Sequence, residues 1–105
     1  MQLSVTGRQL EITTALRSYV ESKIQRLEKH YENITQAHVI LEVDKLRHKA
    51  EANIHLSGCD IFAESEAEDM YASIDSMVDK LIRQVQKHKE KIANHHHNKG
   101  RKGGG

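Results

Sequence analysis

Lys80, Arg83, Gln84, Lys87 and Lys91 gather, at 3.6 residues per turn, on one arc of a helix-reading segment that runs from Met70 to Ile92. Ammonium and guanidinium groups arrayed in this way neutralise phosphates and release their counterions. From Lys80 to Lys91 there are five Lys or Arg against one acid, Glu90, whereas Glu64 to Asp79 holds six acids and no Lys or Arg. The net charge of +1 therefore conceals a strong division of sign along the chain. The helix macrodipole favours acids in the first turn and bases in the last, but its effect fades within a turn. Lys80, Arg83 and Lys87 lie further inside than that. On these residues alone two readings stand side by side: an anion-binding surface and a solvated helix face.

The other reactive residues offer less. Cys59 is the single cysteine, which excludes an internal disulfide, and nothing near it in sequence supplies a base. His95, His96 and His97 are adjacent residues without a second ligand cluster, so no preformed metal geometry is expected. Glu64, Glu66, Glu68 and Asp69 read as a strand edge followed by a helix N-terminus rather than as a divalent-ion site. Gly7 and Gly58 are isolated, so there is no glycine loop to cradle a nucleotide. The expectation is a protein that is not an enzyme and uses no metal or cofactor.

These side chains must be positioned by a chain of 105 residues, enough for one domain with one core. Tyr19, Tyr31, Tyr71 and Phe62 are the only aromatics, which weakens any expectation of base stacking and leaves packing to aliphatic residues. No apolar run approaches the roughly 20 residues that span a bilayer, and the N-terminus lacks the pattern of a secretory signal. A cytoplasmic protein is expected.

Leu3 and Val5 alternate with Gln2 and Ser4 before Gly7, which predicts a strand over about 2 to 6. Thr13 or Thr14 can cap a helix in which Leu16, Val20, Ile24, Leu27 and Tyr31 recur, ending near His30. From Ile34 to Asp44 the period becomes two, with Ala37, Val39, Leu41 and Val43 on one side. Lys45 to His48 reads as a polar connection, and Ala52, Ile54 and Leu56 mark another strand. Ser57 to Asp60 supplies turn chemistry before a further strand over Ile61 to Ser65. The last helix is expected from near Glu68 to about Ile92.

Two amphipathic helices flanking a meander can bury their stripes only against the sheet, so both are placed on one face. The fold class is α+β, a β-α-β-β-β-α two-layer sandwich with a four-stranded sheet. His38, Ile40, Glu42, Asn53, His55, Phe62 and Glu64 are left for the opposite sheet face. Lys23, Arg26 and Lys29 of the first helix are expected to run beside the basic half of the last, so that two cationic ridges flank one groove. Such a surface suits a folded RNA backbone recognised by shape and charge. Residues 93 to 105 hold four of the six glycines and no large apolar residue, and they read as a disordered basic tail after a domain over 1 to 92.

The stretches Met1 to Gly7, Glu11 to Arg17, Lys23 to Glu28, Glu68 to Asp75 and Asp79 to Lys89 carry a resemblance over about residues 1 to 92. The run Asp69-Met-Tyr-Ala-Ser-Ile-Asp75 leading into Asp79-Lys-Leu-Ile-Arg-Gln84 is its most specific part. The chain resembles the short form of the bacterial ribosome hibernation factor / protein Y family. That resemblance implies a fold similar to double-stranded RNA-binding domains and a place on the small ribosomal subunit, covering the decoding channel against messenger and transfer RNA. It implies ribosomal RNA contacts for Lys23, Arg26, Lys80, Arg83, Gln84, Lys87 and Lys89, with Lys91 and His88 beside them. It also implies cooperation with a separate ribosome modulation factor, which pairs ribosomes into inactive dimers in stationary phase, and a monomer off the ribosome. Two alternatives stay open: a protein Y-like inhibitor that does not promote pairing, and a protein-interaction module using the exposed sheet face.

Overall fold

The structure, a computed structural model, describes residues 1–31 and 33–97, with the side chains of 91–97 excepted. Its elements follow the order β1 (Gln2–Arg8), α1 (Thr14–His30), β2 (Ile34–Asp44), β3 (Arg47–Leu56), β4 (Cys59–Ala67) and α2 (Met70–His97). The four strands form one sheet in the order β1-β2-β3-β4. β1 runs parallel to β2, and the remaining pairs are antiparallel. The parallel pair follows from the helix between those strands, since a hairpin cannot join parallel neighbours.

Alternation dictates which sheet face is covered. Ala37, Val39 and Leu41 of β2, Ala50, Ala52, Ile54 and Leu56 of β3, and Ala63 of β4 are buried under the helices. Leu16, Val20, Ile24 and Leu27 of α1 and Ile74, Met77, Val78, Leu81 and Val85 of α2 complete the same core. The expected two-layer sandwich, with both helices on one face, is therefore what forms. His38, Asn53, His55, Phe62 and Glu64 stand exposed on the other face, with Ile40 and Glu42 half-buried among them.

α1 begins where expected: the Thr13 hydroxyl accepts from the Leu16 amide at 3.1 Å. α2 begins one residue after Asp69, whose carboxylate accepts from the Ala72 amide at 3.2 Å. Its start is fastened to the sheet by fully buried Ser73, which donates to the His48 carbonyl at 2.5 Å and to the Asp69 carbonyl at 3.2 Å. At the far end the helix runs to His97, past the expected limit near Ile92, because no glycine or proline intervenes before Gly100. The expected tail over 93 to 105 thus begins inside α2, and its residues 98–105 lie outside the described residues.

β1 also exceeds its expected limit. Gly7 and Arg8 pair with Leu41 and Glu42, so the glycine belongs to the strand instead of ending it. The reason is the turn back toward α1, which brings the Leu10 carbonyl to 2.3 Å from where a Cβ on Gly7 would sit. The connection expected over Lys45 to His48 is tighter than alternation implied: Asp44 pairs directly with Arg47, and Lys45 takes a φ of 58° to close the turn.

Candidate nucleic-acid interface

α2 runs antiparallel to β4, and three of its side chains meet that strand in sequence. Lys80 Nζ donates to the Glu64 carbonyl at 2.7 Å, and Gln84 Nε2 donates to the Phe62 carbonyl at 2.6 Å. His88 reaches Cys59, the first residue of β4, with Nδ1 3.6 Å from Sγ. β4 is an edge strand, so its outward carbonyls lack a strand partner, and Lys80 and Gln84 satisfy two of them. Arg83 and Lys87 sit on the same side of α2, exposed, and make no ion pair among the described residues. Together with Phe62, Ala63 and Glu64 these four residues line an open concavity of about 440 Å³ over the sheet edge.

The α1 cations are placed differently. Tyr19 meets Tyr71 edge to face at 4.8 Å between centroids, and Tyr31 meets His88 at 5.6 Å. The chain's course over the sheet makes the two helices parallel, and these contacts fix their register. Lys23 consequently lies beside Asp75, 3.5 Å from Oδ1, and its ammonium stands 5.2 Å from the Tyr19 ring centre. It therefore meets the acidic half of α2, where the sequence expectation put it beside the basic half. Arg26 is exposed on α1. Lys89 closes the seam at the other end, donating to the His30 carbonyl at 2.8 Å, where a positive group also meets the negative end of the α1 dipole. The Lys91 side chain lies outside the described residues, as do those of His95, His96 and His97.

The expected single groove between two cationic ridges is thus divided. Lys80, Arg83, Gln84 and Lys87 collect at the β4 edge, whereas Lys23 and Lys89 lie along the α1–α2 seam. The seam itself is filled by side chains. Tyr19 donates to Asp75 Oδ1 at 2.6 Å, and its pKa is raised to about 12 by that hydrogen bond first, then by burial and by the Asp75 charge.

The uncovered sheet face neutralises itself. Arg8 meets Glu51 at 3.9 Å, Arg47 meets Glu66 at 3.9 Å, and Lys49 meets Glu64 at 3.2 Å. The Glu64 carboxylate raises the Lys49 pKa, mainly through the hydrogen bond between them. His55 and Asp60 also pair there through Nδ1 and Oδ1. Cross-strand ion pairs leave this face little field with which to attract an anion.

Sequence reasoning did not find the meeting of Cys59 with His88, which are 29 residues apart and joined only by the antiparallel course of α2 over β4. Among the described residues no three His, Cys, Asp or Glu side chains converge as metal ligands, and no helix is long and apolar enough to cross a membrane.

Comparison with known proteins agrees with this architecture. Residues 3–93 match the family model described as Sigma 54 modulation protein / S30EA ribosomal protein. The chain is 55% identical over 91 residues to a ribosome hibernation promoting factor of Azotobacter vinelandii, covering 87% of this chain and 85% of the relative. It is 46% identical over 95 residues to that of Escherichia coli K12, covering 90% and 100%. Among solved structures, a ribosomal subunit interface protein from Coxiella burnetii superposes with a TM-score of 0.82 at 34% identity, covering 86% of this chain and 99% of that one. The N-terminal domain of Thermus thermophilus Protein Y superposes with a TM-score of 0.77 at 39% identity, covering 83% and 98%.

Proposed function

This chain belongs to the Sigma 54 modulation protein / S30EA ribosomal protein family, and on that footing we propose that it is a ribosome hibernation factor. It binds the small ribosomal subunit through ribosomal RNA, occupies the decoding channel and excludes messenger and transfer RNA. Translation stops by occlusion, with no covalent step and no cofactor. The observation that carries this reading is the set of cations on one side of α2, with Arg83 and Lys87 free of carboxylates among the described residues, in a chain 55% identical to a ribosome hibernation promoting factor. Phosphates supply the charges these groups lack, and the counterions they release drive association.

Of the expected RNA-facing residues, Arg83 and Lys87 are poised for direct contact. Lys80 and Gln84 each retain hydrogen-bonding capacity beyond the β4 carbonyl they already serve. Arg26 and Lys23 extend the positive surface on α1, and Lys89 and Lys91 extend it toward the end of α2. The protein acts as a cytoplasmic monomer that meets its partner on the ribosome.

Promotion of inactive ribosome pairs, together with a ribosome modulation factor, is the second half of the proposal. The likeness to the Protein Y domain keeps a pure inhibitor in view as the alternative. Sedimentation of ribosomes separates the two. Co-migration of the chain with small subunits is expected, followed by a shift to paired particles when the modulation factor is added. Co-migration without the shift identifies an inhibitor, and no co-migration refutes ribosome binding.

A further inference from the structure

Phe62 is the one phenylalanine of the chain, and it remains 49% exposed on an edge strand. Its ring stands on the outer sheet face, while its backbone is tied to the cation-bearing helix across the sheet edge. Gln84 Nε2 donates to the Phe62 carbonyl at 2.6 Å, and Lys80 Nζ donates to the Glu64 carbonyl at 2.7 Å, so α2 is tied to this part of β4 at two points. Phe62, Lys80, Arg83, Gln84 and Lys87 then line the same concavity over the sheet edge. The one acid in that lining, Glu64, has its carboxylate held 3.2 Å from the Lys49 ammonium, which offsets its repulsion of a phosphate.

An exposed aromatic ring on the outer face of an edge strand, with cations gathered along that same edge, has a specific chemical fit. A base stacks on the ring while the flanking phosphates meet ammonium and guanidinium groups, the combination by which proteins hold unpaired nucleotides. A paired base cannot use it, because both its faces are already stacked within the helix. We infer that Phe62 and the α2 cations form a subsite for one unpaired nucleotide of the RNA, its base on the Phe62 ring and its phosphates on Arg83 and Lys87. Gln84 spends a donor on the Phe62 carbonyl, which leaves its Oε1 able to accept from the base edge or a 2′-hydroxyl. The inference deepens the ribosome-binding proposal and rests on it, adding a stacked base to a surface otherwise read as binding through shape and charge.

The test is the affinity of Phe62 variants for isolated small ribosomal subunits, measured across a salt series, with Lys87→Ala alongside. Because the ring is half exposed on the outer sheet face, loss of it leaves the core intact, and thermal melting verifies that each variant folds. Phe62→Ala and Phe62→Leu are expected to lose roughly 5- to 150-fold in affinity, the range for deleting one base–aromatic stack. Their salt slope stays unchanged, since no phosphate contact is removed. Phe62→Tyr keeps the affinity. The chain contains no tryptophan, so Phe62→Trp provides a single fluorescent reporter whose emission should be quenched by a stacked base on adding subunits. If Phe62→Ala binds as the parent does while Lys87→Ala is weakened, the subsite is refuted and phosphate binding stands. An unquenched, solvent-exposed Phe62→Trp in the complex also refutes it. Failure of the unaltered chain to bind subunits refutes both readings together.

Discussion

Lys87 is exposed and meets no carboxylate among the described residues, whereas Lys80 on the same side of α2 already donates to the Glu64 carbonyl. The two lysines should therefore respond differently to truncation. Removing Lys80 frees an edge carbonyl as well as a charge, so its effect mixes local structure with binding. Removing Lys87 deletes a charge and little else. Lys87→Ala is expected to weaken binding to small ribosomal subunits and to reduce the slope of log affinity against log salt by roughly 0.7 to 0.9, the release from one phosphate contact. An unchanged slope in a salt titration would take Lys87 out of the interface. The sequence named Lys80, Arg83, Gln84 and Lys87 together because helical period alone puts them on one arc. It did not reveal that two of them also serve the backbone of β4, since the partner carbonyls lie 16 and 22 residues away. Lys23 lies beside Asp75, away from its expected basic neighbours, for a related reason. Period gives the face of a helix, but the register between α1 and α2 is set by Tyr19 on Tyr71 and Tyr31 on His88, contacts that no local pattern encodes.

Among the elements, the long strands and both helices were legible because each buries one face against a common core, so the apolar period is strong. Boundaries failed where backbone geometry, not apolar period, sets the end. The β2–β3 turn uses Lys45 at positive φ, without the glycine or asparagine that signals such turns, so the sequence alone implies a longer connection. Gly7 shows the opposite case, a glycine that looks like a breaker yet lies within β1. The Leu10 carbonyl lies 2.3 Å from the position of an added Cβ, and Ile12 Cδ1 lies 3.0 Å from it. A backbone oxygen cannot swing aside as a side chain can, so the chain between β1 and α1 must shift. Gly7→Ala is therefore expected to destabilise the fold by about 1–3 kcal/mol, the usual range for forced overpacking. Urea unfolding measures this, and a midpoint within error of the parent would show that the connection yields without strain. The sheet edge and α2 are remote from this turn, so subunit affinity should be retained while the variant is folded.

At the scale of the whole molecule, charge is sorted by surface. Each cation named on the open sheet face has a carboxylate partner: Arg8 with Glu51, Arg47 with Glu66, Lys49 with Glu64. The seam between the helices pairs Lys23 with Asp75. What remains unmatched among the described residues includes Arg83 and Lys87, beside β4 on the half of α2 that leads away from the acids. His88 already lies against the first residue of β4, so the nine helical residues after it continue past that end of the sheet for roughly 13 Å at 1.5 Å each. Lys89 and Lys91 begin that extension, which carries the positive region outward from the body. A net charge of +1 is thus compatible with strong phosphate binding, because the neutralised surfaces contribute little to the field and the sorted one contributes most. Reversing both signs at once, Arg83→Glu with Lys87→Glu, tests this sorting without touching the two side chains that guard the β4 edge. The doubly reversed chain should fold with unchanged circular dichroism, since both positions are exposed and unpaired among the described residues. It should no longer sediment with small subunits at moderate salt, because two attractive contacts become two repulsive ones. A protein-interaction module working through the sheet face would be indifferent to the change, since that face and its ion pairs are unaltered. Retention of full co-sedimentation by the reversed chain would therefore move the interface from the α2–β4 edge to the sheet.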